Sequence, residues 1–168
     1  SISGITAANG YGQGAGIKNS GTLTLSSCVV TGNESQNDSG AGIANRFGGI
    51  LTIQNCTISN NLANGLGVNG AGLDNRGTAT IVDSTLSGNS VINGQGGAID
   101  NESSGTLTLV DSTLTANQVT DDGGNGIHGG AIYSQGVLVV QNSTITGNSQ
   151  LLNHGTGDSG GGIYTRTA

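Results

Sequence analysis

Short runs of alternating apolar and hydroxyl residues recur along the whole chain. Leu23 and Leu25 alternate with Thr22 and Thr24, and Ile145 sits between Thr144 and Thr146. Alternation with period 2 sends successive side chains to opposite faces of a strand. Each run is only a few residues long and is followed by Asn or Gly, so the chain reads as many short strands joined by tight corners. A longer period lies over the short one. The phrase Gly-[Ala/Gly]-[Gly/Ala]-[Ile/Leu] begins at Gly14, Gly40, Gly70, Gly96, Gly129 and Gly160, at intervals of 26, 30, 26, 33 and 31 residues.

Each unit continues through a small polar residue, a Gly, a strand such as LTL, and a phrase such as STITGN. The length variation falls in the polar stretch before the next Gly-rich phrase, which predicts a rigid coil with one variable polar loop at one corner. Stacked coils bring equivalent positions into register and build one core that no single repeat buries alone. The expected inward ladders are Ile17/Ile43/Leu73/Ile99/Ile132/Ile163, Leu25/Ile53/Ile81/Leu109/Val140 and Val30/Ile58/Leu86/Leu114/Ile145. Asn33, Asn61, Asn89, Asn117 and Asn148 form an expected corner ladder, and Asn19, Asn45, Asn75 and Asn101 a second. Asn suits both places, because it tolerates left-handed corners and its amide can bond to the next coil. The reading is an all-β, single-domain parallel solenoid over residues 1–168, with about six coils of three short strands. Residues 1–13 and 160–168 are partial coils, and 14–159 make five full ones.

Composition agrees. Of 168 residues 33 are Gly, none is Pro or Met, and 8% are charged. Gly and Asn disfavour a helical domain, and collagen is excluded without Pro or a strict Gly-X-Y period. A net charge of −6 with only four Lys and Arg argues against nucleic acid as a partner. No apolar run approaches the roughly 18 residues of a membrane helix, so no membrane insertion is expected. The lack of Met points to a start that is missing or processed off.

The GGAI and STITGN phrases resemble the right-handed parallel β-helix repeats of bacterial cell-surface proteins. These include the polymorphic outer-membrane-protein type and large secreted, surface-anchored solenoids. The resemblance covers essentially the whole chain. It implies a right-handed β-helix that is extracellular or at the cell surface, with adhesin or passenger segments among its relatives.

The ends carry a further expectation. The opening SISGITAANG aligns with the end of a middle strand and a third strand, with Ile2 on Leu25 and Ile5 on Cys28. The closing GGGIYTRTA is the first strand of a coil. Neither looks like a cap, which solenoid ends normally need. A head-to-tail homopolymer, a filament or sheath grown by coil-on-coil stacking, is therefore expected. Its assembly residues would be Ser1, Ile2 and Ile5 at one end and Gly162, Ile163, Tyr164 and Thr165 at the other. A fragment of a longer adhesin or passenger is the competing reading.

The candidate chemistry is sparse. Cys28 and Cys56 share a ladder with Ser84, Ser112 and Ser143; rungs about 4.8 Å apart would allow a disulfide on distance, though parallel side chains suit it badly. The stacked pairs Asp74/Asp100 and Asp83/Asp111 could serve a glycosidase or hold calcium. Their expected role is to keep a neutral surface soluble, because the outward face is read as lacking the Lys, Arg, His and aromatic residues that bind sugar and stabilise charge. Asp121 and Asp122, in the longest loop, are weak calcium ligand candidates, and no other cofactor is expected. His128 and His154 read as solvated loop residues. Tyr133 and Tyr164 fall on one outward ladder with Asp100 and Asp74; they suit coil stacking, or contact with a surface saccharide. Outward Thr pairs such as Thr113/Thr115 could bind ice, but Thr favours any solvated strand. The expectation is a structural protein with no catalytic residues.

Overall fold

The computed structural model describes residues 1–12, 14–121, 127–152 and 160–166. The chain winds into stacked coils whose strands form four parallel sheets, three of six strands and one of five. The first sheet holds Ile17–Asn19, Ile43–Asn45, Leu73–Asn75, Ile99–Asn101, Ile132–Ser134 and Ile163–Thr165. The second holds Ile2–Ser3, Thr22–Ser26, Ile50–Gln54, Thr78–Val82, Thr106–Val110 and Val137–Gln141. The third holds Thr6–Ala8, Val29–Thr31, Thr57–Ser59, Thr85–Ser87, Thr113–Thr115 and Thr144–Thr146. The fourth holds Glu34–Gln36, Leu62–Asn64, Ser90–Ile92, Gln118–Asp121 and Ser149–Leu152.

Every strand pairs with its counterpart one coil away, so the ladders expected from the repeat are in register. Leu25, Ile53, Ile81, Leu109 and Val140 follow one another in the second sheet. Val30, Ile58, Leu86, Leu114 and Ile145 do so in the third. Together with the Ile and Leu residues of the first sheet they make one continuous apolar core, except that Val140 and Ile163, expected inward, are exposed at the last described coil.

The coil differs from expectation in one respect: it has four strands, not three. The fourth lies in the polar stretch after the Asn corner, where Ser35, Ala63, Val91 and Val119 turn inward. The first three rungs bury one side chain each, flanked by exposed or half-buried neighbours, and the next buries Val119 and Asp121, so no hydrophobic alternation marks the strand. Ala63, Val91 and Val119 pack with Ala41, Val68, Ala71 and Ile127 into a second, smaller core.

Corners are fixed by backbone conformation and amide ladders. Asn33, Asn61, Asn89, Asn117 and Asn148 are linked Nδ2 to Oδ1 at 2.9 Å from coil to coil. Asn19, Asn45, Asn75 and Asn101 are linked likewise at 2.8 Å, and Asn101 donates onward to Ser134 at 3.0 Å. Between the second and third sheets, Ser27, Asn55, Asp83, Asp111 and Asn142 all adopt φ of 48–52°. Asp83 and Asp111 are exposed and thus serve as left-handed corner residues, a conformation that short polar side chains tolerate best. Cys28 and Cys56 are buried free thiols. Cys56 Sγ accepts the Cys28 N–H, as Ser84 Oγ accepts the Cys56 N–H, so thiol and hydroxyl fill the same corner role.

Candidate functional site

Chemistry collects on the outward side of the first sheet. Each strand there reads Ile-x-Asn or a close variant, with the first residue in the core and the middle one pointing away from it. The middle row runs Lys18, Ala44, Asp74, Asp100, Tyr133, Tyr164. Just past the corner, a parallel row carries Arg46, Arg76, Glu102, Gln135 and Arg166, each donating its N–H to a carbonyl one coil back. All four basic residues of the chain fall on these two rows.

Lys18 at one end of the middle row is exposed and Tyr164 at the other is half-buried, but Ala44, Asp74, Asp100 and Tyr133 between them are buried, because the segment between the fourth sheet and the next coil folds back across them. Its backbone passes so close that a Cβ at Gly70, whose φ is +56°, would lie 2.2 Å from the Leu73 carbonyl oxygen and 2.8 Å from the Asp100 nitrogen. Only glycine permits that approach with that φ. From the same segments Asp38 reaches Arg46 at 2.9 Å, and His128 stacks on Tyr164 with centroids 4.2 Å apart.

Asp74 and Asp100 are consequently buried, at 0% and 1% exposure, which corrects the expectation that they act as solubilising surface charges. Asp74 lies 3.2 Å from Arg76 Nε and 3.9 Å from Arg46 Nη1. Arg76 also lies 3.6 Å from Glu102. Neither oxygen of Asp100 has a hydrogen-bond partner of good geometry, although the Asn69 side chain is close enough to favour its charged form slightly. Oxygens of Asp74, Asp100 and Glu102 lie within 4.8 Å of one another. Burial raises the pKa of Asp74 to about 6 against the pull of Arg76, with Glu102 adding to the rise. Burial raises the pKa of Asp100 well above its ordinary value, and Glu102 and Asp74 push it in the same direction.

The two tyrosines stack as the repeat implied, with centroids 5.6 Å apart and an interplanar angle of 4°. His128, expected in solvent, is half-buried on that stack. Asp121 is buried at the end of its strand, while Asp122 and His154 lie outside the described residues. The Asn33-to-Asn148 ladder sits at a corner and serves structure. Ser1, Ile2 and Ile5 lie at one end of the stack and Gly162, Ile163, Tyr164 and Thr165 at the other. The reading from sequence missed Asp38, Arg46, Arg76 and Glu102. Their signal was available, since Arg46, Arg76 and Glu102 each directly follow the Asn of an Ile-x-Asn or Leu-x-Asn strand.

This arrangement can hold a cation or share protons between carboxyl groups. Both aspartates are sealed under the covering segments, so a polysaccharide chain does not reach them as it must reach a glycosidase pair.

The description of one protein family, the right handed beta helix region, matches residues 1–167. The chain belongs to the right-handed β-helix family. No curated protein and no solved structure gives a significant match to it. The family fixes the hand of the coil and agrees with the parallel sheets; within this β-helix, the acidic and basic rows lie on the first sheet, under the connections of variable length.

Proposed function

We propose that this β-helix is a structural subunit of an extracellular or cell-surface filament, sheath or fibre, extended by stacking coil on coil between copies and working without catalysis. The supporting observation is that the core ladders run out to both end faces of the described stack. Ile2 and Ile163 are each 38% exposed there, whereas their ladder neighbours Leu25 and Ile132 are wholly buried. The faces are stepped in complementary ways: one ends in strands of the second and third sheets, the other in a strand of the first. The open strand edge of such a parallel sheet is a template for a further strand, from a second copy or from the same polypeptide. Contact between different faces that does not close on itself produces an open filament. The outside location rests on the resemblance of the repeat to surface solenoids.

Negative-stain electron microscopy of the concentrated chain tests the proposal. Unbranched filaments are expected, and Ile2→Lys or Ile163→Lys should abolish them while leaving the circular dichroism spectrum intact. Monodisperse particles of the unsubstituted chain at high concentration would overturn it. They would favour the alternative, a stretch of a longer adhesin or passenger whose neighbouring coils come from the same polypeptide.

A further inference from the structure

We propose that Asp74, Asp100 and Glu102 form a binding site for one calcium-class divalent cation, enclosed between the first sheet and the covering segment that carries Asn69 and Gln95. Three independent features support it. The first is charge. Among the described residues, the four carboxyl groups of Asp38, Asp74, Asp100 and Glu102 face two guanidinium groups, Arg46 and Arg76, which leaves an acidic excess in a cluster whose centre is buried. A divalent cation cancels that excess.

The second is hydrogen bonding. A buried carboxylate without a donor is costly, and structures rarely keep one without a partner of another kind. Both oxygens of Asp100 are in that position, and it is 1% exposed. On the covering segment, Gln95 Oε1 is likewise buried without a donor. Gln95 is tied to Asn69 through its N–H bond to Asn69 Oδ1 at 3.0 Å, and the Asn69 side chain approaches Asp100.

The third is geometry. One oxygen from each acid lies within 4.8 Å of the others, a separation that a cation with oxygen ligands at roughly 2.3–2.6 Å can span. Calcium fits better than magnesium. A largely buried, asymmetric set of carboxylates suits its flexible coordination, whereas magnesium retains water and requires an octahedron.

Isothermal titration of the EDTA-treated full chain with CaCl2 tests the site, together with terbium luminescence excited through tyrosine. Tyr133 occupies the rung next to Asp100, so a terbium ion bound there lies within range for sensitised emission. The expected result is saturable binding with Kd near roughly 10⁻⁴–10⁻³ M and emission that calcium displaces and magnesium does not. Asp100→Asn should weaken binding at least about tenfold and quench the emission, while Asp111→Asn on the exposed corner changes neither. Glu102→Gln, at a half-buried position, should show the same loss as Asp100→Asn should the latter fail to fold. Absence of both calcium heat and terbium emission in the unsubstituted chain would overturn the proposal. So would equal losses from Asp100→Asn and Asp111→Asn.

Discussion

Replacing Asn89 by Ala removes one rung of a buried amide ladder and shows how far that ladder holds the coils together. Asn89 Oδ1 accepts from the Asn61 N–H at 3.2 Å and from Asn61 Nδ2 at 2.9 Å. Its Nδ2 donates to the Ile58 carbonyl at 3.0 Å and to Asn117 Oδ1 at 2.9 Å. After truncation Asn61 Nδ2 keeps its bond to the Val30 carbonyl, and Asn117 Oδ1 keeps the Asn89 N–H. The Asn61 N–H loses its acceptor in a site that water does not reach. One orphaned N–H costs about 1–3 kcal/mol, and each of the other bonds about 1 kcal/mol. The expected loss is therefore about 4–6 kcal/mol, a large share of the roughly 5–15 kcal/mol that stabilises a typical domain. Asn148→Ala at the half-buried end of the same ladder should lose only about 1 kcal/mol, because water can replace the missing amide. Denaturant unfolding followed by far-UV circular dichroism measures both. A loss below about 1 kcal/mol at Asn89, or equal losses at the two positions, would refute the ladder's assigned role.

Three further outcomes follow from the same structure. Ala116 has φ of +54° where its counterparts are Gly32, Asn60, Gly88 and Gly147, so Ala116→Gly should stabilise by about 0.5–1 kcal/mol, read from the denaturation midpoint; destabilisation would contradict the strain. Asp74 titrates near 6 when folded and near 3.8 ordinarily, so the folded chain binds more protons than the unfolded chain between those values. In EDTA, acidification from pH 7 to 4 should then raise stability by up to about 3 kcal/mol from this residue, with Asp100 acting in the same direction; Asp74→Asn combined with Asp100→Asn should flatten the profile, and equal profiles would refute the buried-charge assignment. Cys56→Ser should change stability by less than about 1 kcal/mol, since Ser84 and Ser112 already accept the same corner N–H with a hydroxyl; a large loss in a thermal melt would show that the sulfur is needed for packing.

The coil was legible because its most demanding positions repeat in type. The first Gly of each Gly-rich phrase has positive φ in all six units, from 56° to 76°. The following Ile or Leu enters the core, and the Asn corners recur because an amide can donate and accept along a stack. The fourth strand was hidden because its inward position carries no fixed residue type, varying from Ser35 to Ala63 to Val91. For the candidate site, the repeat register alone places Asp74 over Asp100 and Tyr133 over Tyr164. Their burial was not legible, since the cover comes from segments that differ in length and sequence in every coil. The two rows that hold Lys18, Arg46, Arg76 and Arg166 were visible in principle. In a chain with 8% charged residues, cations confined to two columns mark a chosen face.

The most direct test of stacking between copies is sedimentation velocity over a concentration series, comparing the unsubstituted chain with Ile2→Lys. Head-to-tail growth predicts a broad distribution that moves to larger species with concentration in the former and a single monomeric boundary in the latter. A concentration-independent monomer in both would contradict it.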